Sequence, residues 1–311
     1  MLIDVTDKSI EELGERMVPS YHKGALVYGE HITRYESVLP LLKGKTVLDI
    51  ASGSGYGSYI MAGQARHVTG VDIDEPAVKY ARKNYKRANI EFKVGSAEDI
   101  PLEDNSVDVV VTFETVEHIP NYHKFMEEIK RVLKPGGFAI ISTPNDLEFP
   151  EGNHFHLHEF VHDELQAMLA KYFKHRKFSY QYTWLYTAVV GGTTMDKEWD
   201  EPFETINAAP VSQDKAIYFT AICSDSDISK LDLKELGAIS EHWSAREQQR
   251  LQREHDDRLA HVESERKDLA ERLQNTERDL RAIYESKGWH MLLKAYRLKA
   301  FFTGRARQKS E

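Results

Sequence analysis

A single cysteine, Cys223, is present among 311 residues. One thiol excludes an internal disulfide and fits a reducing compartment. Within Ile217-Tyr218-Phe219-Thr220-Ala221-Ile222-Cys223 it reads as a small buried strand residue. No apolar stretch approaches the roughly 20 residues that a spanning helix requires. Met1-Leu2-Ile3-Asp4 lacks the basic start and apolar run of an export signal, so a cytoplasmic location is expected. Positive charge is in deficit as well: 41 Lys and Arg face 50 Asp and Glu, a formal net charge of −9. Neutralised phosphates supply most of the affinity for nucleic acid, so an acidic chain is expected to have no such partner. Proline and glycine are absent from 240 to 287, where Glu, Arg, Gln, Asp and Leu dominate.

What is present is concentrated near residue 50. In Val47-Leu48-Asp49-Ile50-Ala51-Ser52-Gly53-Ser54-Gly55-Tyr56-Gly57 an apolar strand ends in an acid and breaks into a glycine-rich turn. Asp72 closes a second apolar strand, Val68-Thr69-Gly70-Val71. This layout predicts a nucleoside-cofactor pocket, in which glycines admit a ligand close to the backbone and a carboxylate takes two ribose hydroxyls. The glycine spacing is not that of a dinucleotide binder, because the sixth position of Gly-x-Gly-x-x-Gly counted from Gly53 is Ser58.

Strands and helices alternate through this region. Strands are predicted at 46–50, 67–71, 90–94, 107–112 and 137–142. Helices are predicted over 24–42 and near 55–63, 75–87, 121–132 and 159–171. Asp74 and Pro76 supply a helix start, and Lys134-Pro135-Gly136-Gly137 reads as a helix stop and turn. The alternation implies a parallel sheet covered on both faces. Phe178 to Val190 and Lys215 to Cys223 read as two strands with no helix between them. The irregular stretch from Gly191 to Pro210 is either a substrate-contacting loop or a surface excursion.

The segment resembles the class I S-adenosylmethionine-dependent methyltransferases. The residues that carry the resemblance are Val47 to Gly55, then Gly70-Val71-Asp72-Ile73-Asp74, Gly95-Ser96-Ala97-Glu98-Asp99-Ile100-Pro101, Phe113-Glu114-Thr115-Val116-Glu117-His118-Ile119 and Leu133-Lys134-Pro135-Gly136-Gly137. It implies an α/β fold, a seven-strand Rossmann-like sheet with helices on both faces, over residues 21–225. It also implies S-adenosyl-L-methionine as cofactor. Asp72 would accept both ribose hydroxyls, with Ile73 beside it. The backbone at Ala51, Gly53 and Gly55 would pass the methionine part, and Asp49 would draw on its ammonium. Ala97 and Glu98 would grip the adenine, and Phe113 and Glu114 would line the methionine side. Ala51 replaces the first glycine of the family's turn, and a negative φ is expected there. Tyr28, in a helix ahead of the first strand, is the candidate aromatic near the sulfonium; simple core packing is its alternative.

An alcohol acceptor must lose a proton as it attacks, and histidine suits that task at neutral pH. His156, in Asn153-His154-Phe155-His156-Leu157-His158-Glu159-Phe160, matches a histidine common before the family's Glu-Phe pair, and His118 is the second candidate. His154, His156 and His158 would share a face of an extended strand and could hold a metal. The family's metal-using members rely mainly on carboxylates, so no metal ligand is assigned. Glu159 either caps the following helix or touches substrate.

Residues 1–20 read as a flexible N-terminus and 226–286 as linker and coiled coil. Leu259, Val262, Leu269, Leu273, Leu280 and Ile283 keep an a/d register, with Arg266 and Thr276 at the remaining core positions. The expectation is a homo-oligomer, dimer or trimer, with a single solvated helix as the alternative. The tail, 287–311, carries seven basic residues against one acid, and Trp289, Leu292, Leu293, Tyr296 and Ala300 share a helical face. It reads as a basic amphipathic helix for peripheral contact with an anionic membrane, or for docking on a protein. His154-Phe155-His156-Leu157-His158-Glu159-Phe160 resembles methyltransferases found with bacterial glycosyltransferases. Glu285-Ser286-Lys287-Gly288-Trp289-His290 resembles the tails of surface-polysaccharide assembly proteins. These point to O-methylation of a saccharide, lipid-linked in one version, that ends chain growth. The alternatives are a small-molecule methyltransferase acting on a quinone, lipid or other metabolite, and a scaffold that recruits glycan-assembly proteins.

Overall fold

The computed structural model describes residues 16–23, 25–148, 156–183, 212–237 and 266–307, the last stretch without positions 268, 270, 271, 275 and 279. The chain divides near residue 241 into two units, which are taken separately.

In the first unit the helices are α1 (Pro19–His22), α2 (Leu26–Leu42), α3 (Tyr56–Met61), α4 (Glu75–Asn84), α5 (Tyr122–Val132) and α6 (His162–Ala170). The strands are β1 (Thr46–Ile50), β2 (His67–Asp72), β3 (Ile90–Val94), β4 (Val107–Phe113), β5 (Leu133–Pro144), β6 (His175–Gln181) and β7 (Tyr218–Ser224). They form one seven-stranded sheet in the order β3-β2-β1-β4-β5-β7-β6. The first five are parallel, and β7 is antiparallel to both β5 and β6.

The central strands are mostly apolar and almost wholly buried because helices cover both faces. Val47, Leu48, Val109, Val110 and Ile140 are fully buried. One core holds Leu48, Val110, Phe125, Ile129 and Leu165; the other holds Val38, Leu42, Val47, Val109 and Ile140. Alternate residues of a strand thus enter opposite cores, as the period of two requires. Asp74 caps α4 by accepting from the Ala77 N–H at 3.2 Å, and Pro76 stands in its first turn.

Three sequence readings are corrected. β5 begins at Leu133 rather than 137: Leu133 pairs with Val107, and the register shifts before Phe138 meets Val109. Gly136, at φ +83°, absorbs that irregularity inside the strand. α6 begins at His162 rather than 159, because Phe160 is held in an extended bridge with Asn145, its carbonyl accepting the Asp146 N–H at 3.2 Å. β6 covers His175–Gln181 and not the longer span; residues 184–211 lie outside the described residues.

In the second unit residues 280–285 are helical and α7 spans Lys287–Arg307. Leu269, Leu273, Leu280 and Ile283 are exposed. Leu259 and Val262 lie outside the described residues. No described helix is long and apolar enough to cross a membrane.

Candidate active site

The direction of strand addition reverses between β1 and β4. In open α/β sheets a ligand crevice lies beyond the carboxyl ends of the strands at such a reversal. Asp49, the loop 51–55, Asp72, the loop after β3, and Phe113 to His118 all sit at that edge.

The loop after β1 turns on three residues of left-handed backbone: Ala51 (φ +61°), Gly53 (φ +53°) and Gly55 (φ +89°). The expected negative φ at Ala51 is therefore wrong. The turn accepts a methyl group in left-handed backbone at a cost of about 1–2 kcal/mol. A Cβ on Gly53 would meet only the Arg16 side chain, at 3.7 Å or more. That side of the loop is a cradle open to a ligand.

Asp72 is buried, and it orders the loop from below. Its Oδ2 accepts the Gly53 N–H at 2.7 Å and its Oδ1 accepts the Asp74 N–H at 3.0 Å. The Arg16 guanidinium stands 3.4 Å from Asp72 Oδ1 and 3.6 Å from Asp74 Oδ2. Met17 follows, its carbonyl accepting from Ser54 Oγ at 2.9 Å. Residues 16 and 17 thus form a strap over the glycine loop. Ile73 is 71 % exposed beside Asp72, an apolar face available to a flat ring. Ala97 is buried, while Glu98 Oε1 accepts the Asn121 N–H at 3.0 Å.

Asp49 is fully buried, with Oδ2 accepting from Ser58 Oγ at 2.5 Å and Oδ1 lacking a hydrogen-bond partner among the described residues. Burial pushes its carboxyl up to about 7, and the neighbouring Asp72 charge adds to the rise. An orphaned, desolvated acid at this place suits a cationic ligand group.

Phe113 packs edge-on against Tyr35 of α2, with centroids 4.9 Å apart. Tyr28, two turns earlier on α2, is half-buried against the same core. The aromatic that α2 brings to Phe113 is therefore Tyr35. Glu114 sits at φ +51°, a strained conformation for a non-glycine residue and one that marks functional positions. Its carboxylate accepts from Ser142 Oγ at 2.8 Å and lies 3.6 Å from Arg34 Nη1. Arg34, absent from the sequence-based candidates, is buried on α2. Its Nη1 donates to Gln181 Oε1 at 3.1 Å, its guanidinium lies 4.2 Å from the Tyr218 ring centroid, and Nη2 has no partner among the described residues. A lone arginine on the apolar stripe of a helix is the signal that was available.

Glu117 and His118 lie in a single 3-10 turn, Val116–His118, just after β4. Glu117 is fully buried; its Oε2 accepts from Thr143 Oγ1 at 3.0 Å, and its Oε1 has no partner among the described residues. Burial and then the Glu114 charge hold its carboxyl well above the usual carboxylate range. The His118 and His156 rings meet edge-on at 4.9 Å. His156 Nδ1 lies 3.0 Å from Glu159 Oε1. Glu159 therefore serves His156 and is not the cap of α6, whose N-cap residue is Val161. His158 turns away, stacking edge-on with Phe160 at 4.2 Å. His154 lies outside the described residues.

Residues 48–141 match the family profile described as a methyltransferase domain. A probable S-adenosylmethionine-dependent methyltransferase of Mycolicibacterium smegmatis is 37 % identical over 161 residues, which are 50 % of this chain and 62 % of that protein. A demethylmenaquinone methyltransferase of Listeria welshimeri is 32 % identical over 154 residues, 46 % of this chain and 65 % of that one. The chain thus spans somewhat less than two thirds of the length of these curated relatives. The fold is also that of a methyltransferase from Thermotoga maritima described as a possible histamine N-methyltransferase. The TM-score is 0.50 at 19 % identity, over 69 % of this chain and 99 % of that one. Residues 48–141 are thus similar to a methyltransferase domain, and the first unit has a fold found in such enzymes. The Mycolicibacterium relative's name gives S-adenosylmethionine as its methyl donor, and the open cradle at Gly53, the Asp72 carboxylate and the buried Asp49 carboxyl fit that cofactor.

A pH dependence follows. The Asp49 carboxyl, normally near 3.8, is raised to about 7 in the folded protein. The fold binds this proton more tightly than the unfolded chain does. Asp49 therefore withdraws stability as pH rises from about 4 to 7. A ligand ammonium favours the ionised form, so below pH 7 binding must first expel the proton. Affinity for S-adenosylmethionine is expected to fall roughly tenfold between pH 8 and pH 6. Calorimetry in buffers of different ionisation enthalpy should show net proton release near pH 6. A flat affinity profile with no proton release would remove Asp49 from the ammonium site.

Proposed function

We propose that the chain is an S-adenosylmethionine-dependent O-methyltransferase whose acceptor is a saccharide hydroxyl. In this reading, methylation of a terminal hydroxyl halts elongation of a surface polysaccharide of the O-antigen or capsule type. When bound, S-adenosylmethionine supplies a methyl carbon on a positively charged sulfur, and the C–S bond breaks as the acceptor oxygen bonds to that carbon.

The chain's own residues have four tasks. Asp72 fixes the ribose, the loop 51–55 passes the methionine part, Asp49 takes the ammonium, and Glu114 with Arg34 forms a rigid wall next to Phe113. Such fixation removes orientational freedom before the displacement, which is most of what this reaction needs. The acceptor's proton leaves on the side of His118 and His156.

The single observation that supports a sugar is the polarity of that side. Glu114, Glu117, His118, His156 and Glu159 gather after β4 and beyond β5. A polyhydroxylated acceptor offers each of them a hydrogen-bond partner. A flat apolar ring offers none, and would leave Glu117 Oε1, which has no partner among the described residues, desolvated at a cost of about 1–3 kcal/mol. This disfavours the quinone reading that the Listeria relative's name suggests. The exposed leucines at 269, 273 and 280 support self-association as a dimer or trimer. Met291, Leu292 and Tyr296, exposed on basic α7, support contact with an anionic membrane surface, where a lipid-linked acceptor would reside.

The test is transfer of labelled methyl from S-adenosylmethionine by the full chain onto panels of free glycans, lipid-linked glycans and quinones. Sedimentation of the same sample gives its oligomeric state. Labelled glycan, together with a mass of two or three chains, is expected. Label on quinones alone would overturn the acceptor class, and a monomer would overturn the coiled coil.

A further inference from the structure

We propose that Glu117, His118 and His156 bind a divalent first-row transition-metal cation. One potential ligand atom from each of the three lies within 4.8 Å of those of the other two. The set is assembled by the backbone. Leu157 and His158 donate to the Glu117 carbonyl, which lays the His156 segment against the 3-10 turn bearing His118.

A second, independent observation is the Glu117 carboxylate itself. The residue is fully buried, and Thr143 serves one oxygen. The other, Oε1, has no hydrogen-bond partner among the described residues. Buried polar atoms left so are rare and point to something missing at the site. A cation between Oε1 and the two imidazoles supplies the missing partner.

The donor chemistry narrows the ion. Two imidazoles and one carboxylate suit Mn, Fe, Co or Zn, whereas Mg and Ca prefer oxygen ligands. Three protein ligands leave coordination positions open to a hydroxyl. Glu159 completes the arrangement. Metal-bound histidines commonly donate their other ring N–H to a carboxylate, which sets the tautomer and the ring angle. Glu159 Oε1 stands 3.0 Å from His156 Nδ1, in position to accept that hydrogen, so that Nε2 is the ligating atom.

The consequence for catalysis rests on the function proposed above, although the binding site does not. The two imidazoles then hold an ion instead of receiving the proton. A coordinated acceptor hydroxyl would be acidified, as metal ions acidify bound water, and would lose its proton to solvent as its oxygen bonds to the methyl carbon.

The test uses the full chain, stripped with chelator and titrated with Co2+ and Mn2+ in the absence of cofactor and acceptor. One ion per chain is expected, with visible cobalt bands shaped by nitrogen ligands. His118→Ala and His156→Ala should each weaken binding about 100-fold, and Glu159→Gln about tenfold. Both histidines are only partly buried, so these variants keep the fold, as circular dichroism will verify, where Glu117→Gln can fail to fold. No bound ion at millimolar metal, or binding unchanged in both histidine variants, overturns the site. Titration of the same sample with S-adenosylmethionine separates the two proposals: cofactor bound without metal sinks only the metal site, and metal bound without cofactor sinks only the methyltransferase reading.

Discussion

Asp72→Ala is expected to weaken S-adenosylmethionine binding by about 100-fold, the equivalent of two charge-assisted hydrogen bonds to a ribose diol at about 1.5 kcal/mol each. The carboxylate is well placed for a second reason: it holds the Gly53 N–H at 2.7 Å, so its loss also loosens the loop that makes the cradle. Asp72→Asn keeps an acceptor for that N–H and removes the charge, and should fall between wild type and alanine. Asp74→Ala is the control. It removes the other carboxylate beside Arg16 and the cap on Ala77, costing about 1 kcal/mol of stability, yet should leave the cofactor Kd within about threefold. Calorimetric titration checks all three. Alanine at 72 with an unchanged Kd would mean that the ribose lies elsewhere, and the cofactor assignments from 49 to 98 would fall with it.

Gly55→Ala is expected to be strongly destabilising. At φ +89° an L-residue is strained before any contact is counted. The added Cβ would also stand 2.5 Å from the Ala81 Cβ and 3.0 Å from the Phe92 ring. Both neighbours are fully or nearly buried, Ala81 on α4 and Phe92 on β3, so neither can swing into solvent. Left-handed strain of about 1–2 kcal/mol and overpacking of about 1–3 kcal/mol sum to roughly 3 kcal/mol. For a unit of this size that lowers Tm by roughly 6–12 °C. Thermal unfolding followed by far-UV circular dichroism reads the shift. Gly53→Ala is the informative contrast: its φ is similarly left-handed, but its Cβ meets only Arg16, so strain alone should cost less than half as much. Equal losses at both positions would show that close packing against α4 is not what requires a glycine at 55.

Much of the nucleotide-binding half was legible in the sequence because its signals are local. Each short strand is rich in Val, Ile, Leu or Phe and bounded by polar turns, so β1 to β4 fall within a residue or so of their expected ends. Asp74 caps α4 from its own position, and Asp72 is marked by the strand before it. The acceptor half was less legible because its signals are distant. Arg34 is tolerated inside α2 only through Glu114, Gln181 and Tyr218, three residues on other elements that spacing along the helix cannot announce. The late start of α6 depends on the bridge between Phe160 and Asn145, which follows β5, and helical periodicity alone reads straight through it. The strain at Ala51 and Glu114 was invisible for the same reason: a residue name does not disclose that its neighbours force a positive φ. The Glu117–His118 pair was quoted as part of a motif, but its meeting with His156 exists only in three dimensions.

The reversal of strand order between β1 and β4 has an evolutionary consequence. Residues proposed to grasp the donor come from one side of that divide and the end of β1, whereas those facing the acceptor come mostly from beyond it, after β4 and β5. Substitutions that remodel the second group can therefore accumulate with little effect on the first. A lineage can exchange what it methylates while inheriting its nucleoside grip intact.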